Sequence, residues 1–291
     1  MIALMEFTYG IQQLQLGKLC AKQKNVSRAL FDLKEAGFEL IKLNGFMIRK
    51  TPWIARTLLK LSGMDIKRSQ KLPWKEMIEQ AKIKVISIHE DLDSLEKDFA
   101  KVEEELSLYN PKYIVVTGMY RFAYDDEGEL GNLIVRLNRV GRRLKEAGVS
   151  LLYHNHSAEF QNADGANKAF DLLLAGLNPE WVNFEFDSYW AIEAGADPLV
   201  WMKKLGPRMK IYHICDRGSK KKGPYLTPIL KQDAMELGAG SMNLHAFLKE
   251  ALNQGVDAII LEQHRNYLAD DPLTSAKCSA TFLQKARKAA Y

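Results

Sequence analysis

Val182-Asn183-Phe184-Glu185-Phe186-Asp187 alternates apolar and polar residues with a period of two. In an extended chain, successive side chains point to opposite faces. Val182, Phe184 and Phe186 therefore share one face, and Asn183, Glu185 and Asp187 share the other. Three further apolar runs end in comparable groups: Tyr153-His154-Asn155-His156, Tyr212-His213-Ile214-Cys215-Asp216 and Leu261-Glu262-Gln263-His264. The same period pairs His154 with His156, Glu185 with Asp187, His213 with Cys215, and Glu262 with His264. Imidazoles and carboxylates converging from neighbouring strands are the donor types of one divalent metal site.

Outward from these runs, the chain alternates strand-like and helix-like segments. Strand candidates are Phe7–Gln12, Phe38–Leu43, Ile83–His89, Tyr113–Thr117, Ser150–His154, Val182–Asp187, Met209–His213 and Ala258–Glu262. Amphipathic stretches lie between them: Val26–Ala36, Pro52–Leu61, Leu92–Leu108, Glu129–Ala147, Ala166–Leu173, Asp197–Leu205, Leu244–Gln254 and Pro272–Ala289. Their apolar residues recur every three or four positions, as in Leu133, Leu137, Val140 and Leu144. Gly37, Gly148 and Gly255 fall where a helix hands over to a strand, and Asn25 and Asn243 read as N-caps. The Leu61–Trp74 stretch is less periodic and reads as an extended loop with a short helix. Eight strand–helix units in 291 residues predict one (β/α)8 TIM barrel domain over residues 1–291. A doubly wound sheet is the alternative, but it wants a glycine-rich first turn, and neither GxGxxG nor GxxxxGK[ST] occurs.

Bulk properties exclude several classes. The net charge of +5 is spread out, and the one dense run, Lys220-Lys221-Lys222, sits in a loop, so no nucleic-acid partner is expected. Cys20, Cys215 and Cys278 are odd in number and far apart, which argues against a disulfide framework and for a reducing compartment. The start, Met1 to Phe7, carries no basic segment and no long apolar run. A cytoplasmic protein without a membrane partner is the expectation.

Five of the six histidines, His89, His154, His156, His213 and His264, fall at or just past strand C-terminal ends, where a barrel of this kind carries its active site. His245 lies in a helix and reads as structural. Asp187 ends its strand facing inward, and the strands offer no evident inward lysine or arginine to neutralise it, so a cation is expected. Glu262 follows inward Ile260 and carries the same argument. Glu185 sits deeper and reads as a group that orients a histidine. Trp190, Tyr189 and Phe160 flank the group, and aromatics at a barrel mouth can stack on sugar C–H faces. His89, Glu185, Trp190, Asp216 and His264 are read as the substrate-binding lining.

The motifs Leu152 to Phe160, Glu185 to Trp190, Ala194 to Pro198, Met209 to Asp216, Leu237 to Gly240 and Ile260 to Gln263 occur in order over about residues 150–285. In them the chain resembles the xylose isomerase-like TIM barrels, in particular the sugar phosphate isomerase/epimerase family. The resemblance implies one divalent ion, Mn, Co, Mg or Zn, held by Asp187, His213, Glu262 and a residue of the fifth strand. At that strand many relatives carry a glutamate where this chain has His154, and the branch with His-Asn-His-x-x-Glu-Phe offers Glu159 instead. Charge balance favours Glu159 as ligand, with His154 the alternative and His156 lining the pocket. Cys215 stands where relatives often have the lysine of His-x-Lys-Asp, which counts against a phosphorylated substrate.

The implied reaction is isomerisation or epimerisation of a sugar or keto-sugar through an enediolate. Glu159 or Glu262 would remove a proton α to the carbonyl, and His156 would return it. A lyase that expels a β-hydroxyl, as in the inosose dehydratase relatives, is the alternative. An endonuclease IV-like phosphodiesterase and an inactive sugar-binding barrel rank below both. The expected partner is a small sugar or polyol, and self-association into a homo-oligomer is compatible with the sequence.

Overall fold

A computed structural model describes residues 6–49, 66, 68–119, 121–163, 167–220 and 223–288. The helix expected over Pro52–Leu61 lies outside the described residues, as do residues 61–65 and 67 of the Leu61–Trp74 stretch, Lys221 and Lys222. Strands β1 (Tyr9–Gln12), β2 (Leu40–Asn44), β3 (Lys84–Glu90), β4 (Tyr113–Thr117), β5 (Ser150–His154), β6 (Val182–Asp187) and β7 (Met209–Ile214) are followed by a two-stranded excursion. That excursion pairs β8 (Asp216–Gly218) antiparallel with β9 (Asp233–Met235), and β10 (Ala258–Leu261) follows. Strands β1 to β7 and β10 close in parallel register, with β10 between β7 and β1. The barrel read from the sequence is therefore present, and the β8–β9 hairpin is added to it.

Alternation along the strands divides two cores. Val182, Phe184 and Phe186 are fully buried among the apolar faces of the surrounding helices. Leu40, Ile86, Tyr113, Val115, Leu152, Ile211, Ala258 and Ile260 form a separate apolar cluster from the inward faces. Removing this surface from water stabilises the barrel by about 1.5–3 kcal/mol per large apolar side chain. The next inward positions are Lys42, His154, Glu185, His213 and Glu262, so a polar layer rests directly on an apolar plug.

The helices stop where local chemistry dictates. Gly37, Gly148 and Gly255 adopt φ of +93°, +83° and +72°, values that favour glycine at helix ends. Asn243 caps its helix by accepting from Ala246 N at 3.3 Å. Asn25 does not cap: its helix starts at Gln23 from an extended Lys22, one turn earlier than the apolar pattern indicates. The long stretch read from Leu92 is two helices, Leu92–Lys97 and Phe99–Tyr109, separated at Asp98 by non-helical dihedrals. Among the described residues, no helix is long and apolar enough to cross a membrane.

Candidate metal centre at the barrel mouth

Asp187 closes β6 and opens the helix Ser188–Glu193. Its Oδ1 accepts from Tyr189 N at 2.7 Å and Trp190 N at 3.2 Å, as an N-cap does. Asn155, just past β5, accepts from Asp187 N and donates to Asp187 O, at 2.9 and 3.0 Å. These bonds fix the carboxylate, and its Oδ2 stands 3.8 Å from His213 Nδ1. His213 Nδ1 also contacts Glu262 Oε2. One donor atom from each of His154, Asp187, His213 and Glu262 lies within 4.8 Å of all the others. Two imidazoles and two carboxylates at that separation fit a single divalent transition ion.

The electrostatics point the same way. Burial and the like charge of Glu262 push the Asp187 carboxyl up to about 7. Burial opposes charge on His213, but Glu185 and Glu262 outweigh it and raise the imidazole to about 9. Carboxylates crowding one buried imidazole are a charge arrangement that a cation relieves. His89, His154, His156 and His264 are all driven the other way by burial, His156 to about 3, so they line the mouth as neutral rings.

Lys42 was not singled out by the sequence. It projects inward from β2, is fully buried, and pairs with Glu185. This corrects the expectation that the inward faces hold no cation: Glu185 has one beneath the donor group. A lysine between apolar neighbours, at Leu40-Ile41-Lys42-Leu43, was the available signal. Glu185 Oε1 also lies 2.9 Å from His154 Nδ1 and 3.1 Å from His213 Nε2.

Glu159 differs from its expected place. It is fully buried, its Oε1 accepts from Tyr153 OH at 2.8 Å, and its Oε2 accepts from His156 N at 2.9 Å. Tyr153 OH is in turn 3.0 Å from Tyr124 OH. The carboxylate thus braces the turn that carries His154 and His156, and His154 takes the strand-five place in the donor group. Burial in this tyrosine-lined pocket raises its pKa. Glu159→Gln is therefore expected to keep bound metal while losing about 1–3 kcal/mol of stability from an unmatched buried partner, measured by metal analysis and chemical denaturation. Loss of the metal with stability unchanged would return Glu159 to the ligand set.

The remaining residues divide. Trp190 stacks on His264 at 5.4 Å and 10°, and its ring lies 5.3 Å from His156. His89 meets the His154 ring edge-on at 5.7 Å, and His89 Nε2 and His264 Nε2 are buried without a hydrogen-bond partner among the described residues. His156 Nδ1 is 2.9 Å from Thr117 Oγ1. These rings form a wall around the donors. Asp216 does not join it: its oxygens accept from Arg217, Gly238, Gly240 and Met242 backbone N–H groups, so it shapes the following loop instead of offering a free carboxylate. Phe160 packs on Phe170 and Trp201, in the core behind the site. Lys220 ties Glu236 to Asn266 O.

Fold and site together define a (β/α)8 barrel with a buried, mixed imidazole–carboxylate donor group at its C-terminal mouth. A family description, the xylose isomerase-like TIM barrel, matches residues 33–286, and the chain belongs to that family. The inosose dehydratase of Mesomycoplasma hyopneumoniae is 27% identical over 171 residues, covering 55% of this chain and 56% of that protein. The chain spans between about a third and just over half the length of the curated relatives it matches. A sugar phosphate isomerase/epimerase of Parabacteroides distasonis superposes with a TM-score of 0.73 at 22% identity, covering 97% of this chain and 95% of that one. The IolI protein with a binding zinc atom superposes at 0.68 and 14% identity, covering 98% and 99%. At such identities the structural likeness establishes the fold.

Proposed function

We propose that the chain is a metal-dependent enzyme that enolises a sugar or keto-sugar, acting as an isomerase or epimerase. The observation that carries this reading is the four-donor group in which Glu262 has the most exposed side chain, at 14%. A divalent ion in that group would supply a Lewis acid beside the substrate carbonyl. Asp187 and His213 hold their positions through the capping bonds and the carboxylates around them. Glu262 contacts His213 through Oε2, and its other oxygen can take a proton from the carbon α to the carbonyl. The neutral rings of His156 and His264 can donate hydrogen bonds to substrate oxygens without adding charge. The stacked Trp190–His264 pair offers a flat face to C–H groups.

A second reading, loss of a β-hydroxyl from the same enediolate, is supported by the curated relatives, which are named inosose dehydratases. Both begin with the same proton abstraction and differ in what leaves afterwards. Incubating metal-loaded protein in D2O with a panel of keto-sugars and inososes, followed by NMR, separates them. Deuterium at the α-carbon of an isomeric sugar supports isomerase or epimerase activity. An unsaturated or diketo product with loss of water supports the lyase. No exchange in any substrate would leave neither reading standing.

A further inference from the structure

Lys42 sits on β2 with no solvent exposure, and so does Glu185 opposite it. Its ammonium contacts Glu185 Oε1 and stands 3.4 Å from His213 Nε2. The same Glu185 oxygen faces His213 Nε2 at 3.1 Å and His154 Nδ1 at 2.9 Å. One carboxylate oxygen thus stands between a lysine and both imidazoles of the donor group. Fully buried lysines are rare, and a buried pair of charges is seldom kept for stability alone.

We propose that Lys42 is a positioning residue for the metal centre: by anchoring Glu185 Oε1 it directs the N–H of His213 away from the other donors. This rests on reading the four donors as a metal centre. A neutral imidazole has one N–H and one lone pair, and the partner of one nitrogen decides which nitrogen is free to bind metal. His213 turns Nδ1 toward Glu262 and Asp187 and Nε2 toward Glu185. For Nδ1 to offer its lone pair, Nε2 must carry the hydrogen and find an acceptor. A lysine ammonium has only hydrogens to give, so it cannot be that acceptor, and Glu185 must be. Glu185 Oε2 and His154 Nδ1 have no hydrogen-bond partner among the described residues, so His154 is near Glu185 without an aligned bond and the lysine contact is what fixes the carboxylate's orientation. If Lys42 turned instead to His213 Nε2, Nδ1 would have to hold the hydrogen and could not bind an ion. The closer contact goes to Glu185, which keeps the productive arrangement.

Cobalt(II) titrated into metal-free protein, followed by visible absorption and by thermal melting, tests this. Lys42→Met is expected to bind cobalt about 10–100-fold more weakly, as loss of an outer partner of a ligand does, with a changed ligand-field spectrum. Lys42→Met strands a buried carboxylate, so Lys42→Met/Glu185→Gln is measured beside it. Removing both members of a buried pair restores folding, yet the unanchored amide should leave cobalt binding weak. Wild-type affinity with an unchanged spectrum in either folded variant overturns the inference. Failure of the wild-type protein to take up cobalt overturns the metal-centre reading itself, and that titration alone tells the two failures apart.

Discussion

Asp187→Asn is expected to leave the protein folded and to remove its uptake of divalent metal. Asparagine caps helices as well as aspartate, so the bonds from Tyr189 and Trp190 survive and the helix Ser188–Glu193 still starts where it does. The charge is what disappears. In the metal-free protein this relieves repulsion with Glu262, so the apo form should be no less stable than the wild type. With metal the ranking reverses. An ion present at about 100 times its dissociation constant adds about 2.7 kcal/mol to the wild type, and the variant should show almost none of that. Metal analysis after gel filtration, with melting in the presence and absence of zinc or manganese, decides it. His213→Ala should lose the ion as well. Full occupancy in both variants would mean that the donor group is a structural ion-pair cluster.

Glu262→Gln should give the largest kinetic loss, about 10²–10⁴-fold in kcat, the usual contribution of a positioned general base. The amide oxygen can still sit beside the metal and His213, so substrate binding should change far less than turnover. A loss of binding with kcat retained would show that Glu262 anchors the ion only, and that the base is another group. The D2O exchange assay reads the same step directly: the Gln variant should fail to exchange the α-proton even where it binds the sugar.

Much of this site could be read along the chain because β-structure has a period of two. Once Val182, Phe184 and Phe186 face the helices, Glu185 and Asp187 must face inward, and no tertiary information is needed to say so. The same rule placed His154, His213 and Glu262, three residues far apart in sequence, at one end of neighbouring strands. Lys42 escaped because a lysine in a strand ordinarily points to water. Only the closure of β2 through β3, β4 and β5 to β6 brings it across the barrel from Glu185. Glu159 shows the opposite case. Its position three residues beyond His156 suited a ligand, but the Tyr153 hydroxyl and the His156 backbone amide donate to its two oxygens, and Tyr124 bonds to Tyr153 behind them.

Asp216 and the β8–β9 hairpin depended on tertiary structure for a related reason. Four backbone amides from positions 217, 238, 240 and 242 converge on one carboxylate. No period in the sequence reports where a loop about twenty residues away will return. The sequence by itself determined the eight-fold strand–helix rhythm, the faces of the strands, and the donor types at their ends, because these follow from local geometry and from the cost of burying charge. Tertiary structure decided which donors meet, that His154 lies with Asp187, His213 and Glu262 while Glu159 bonds to Tyr153 and His156, and that a buried lysine stands beneath them, because those are distances across a closed barrel that no local pattern encodes.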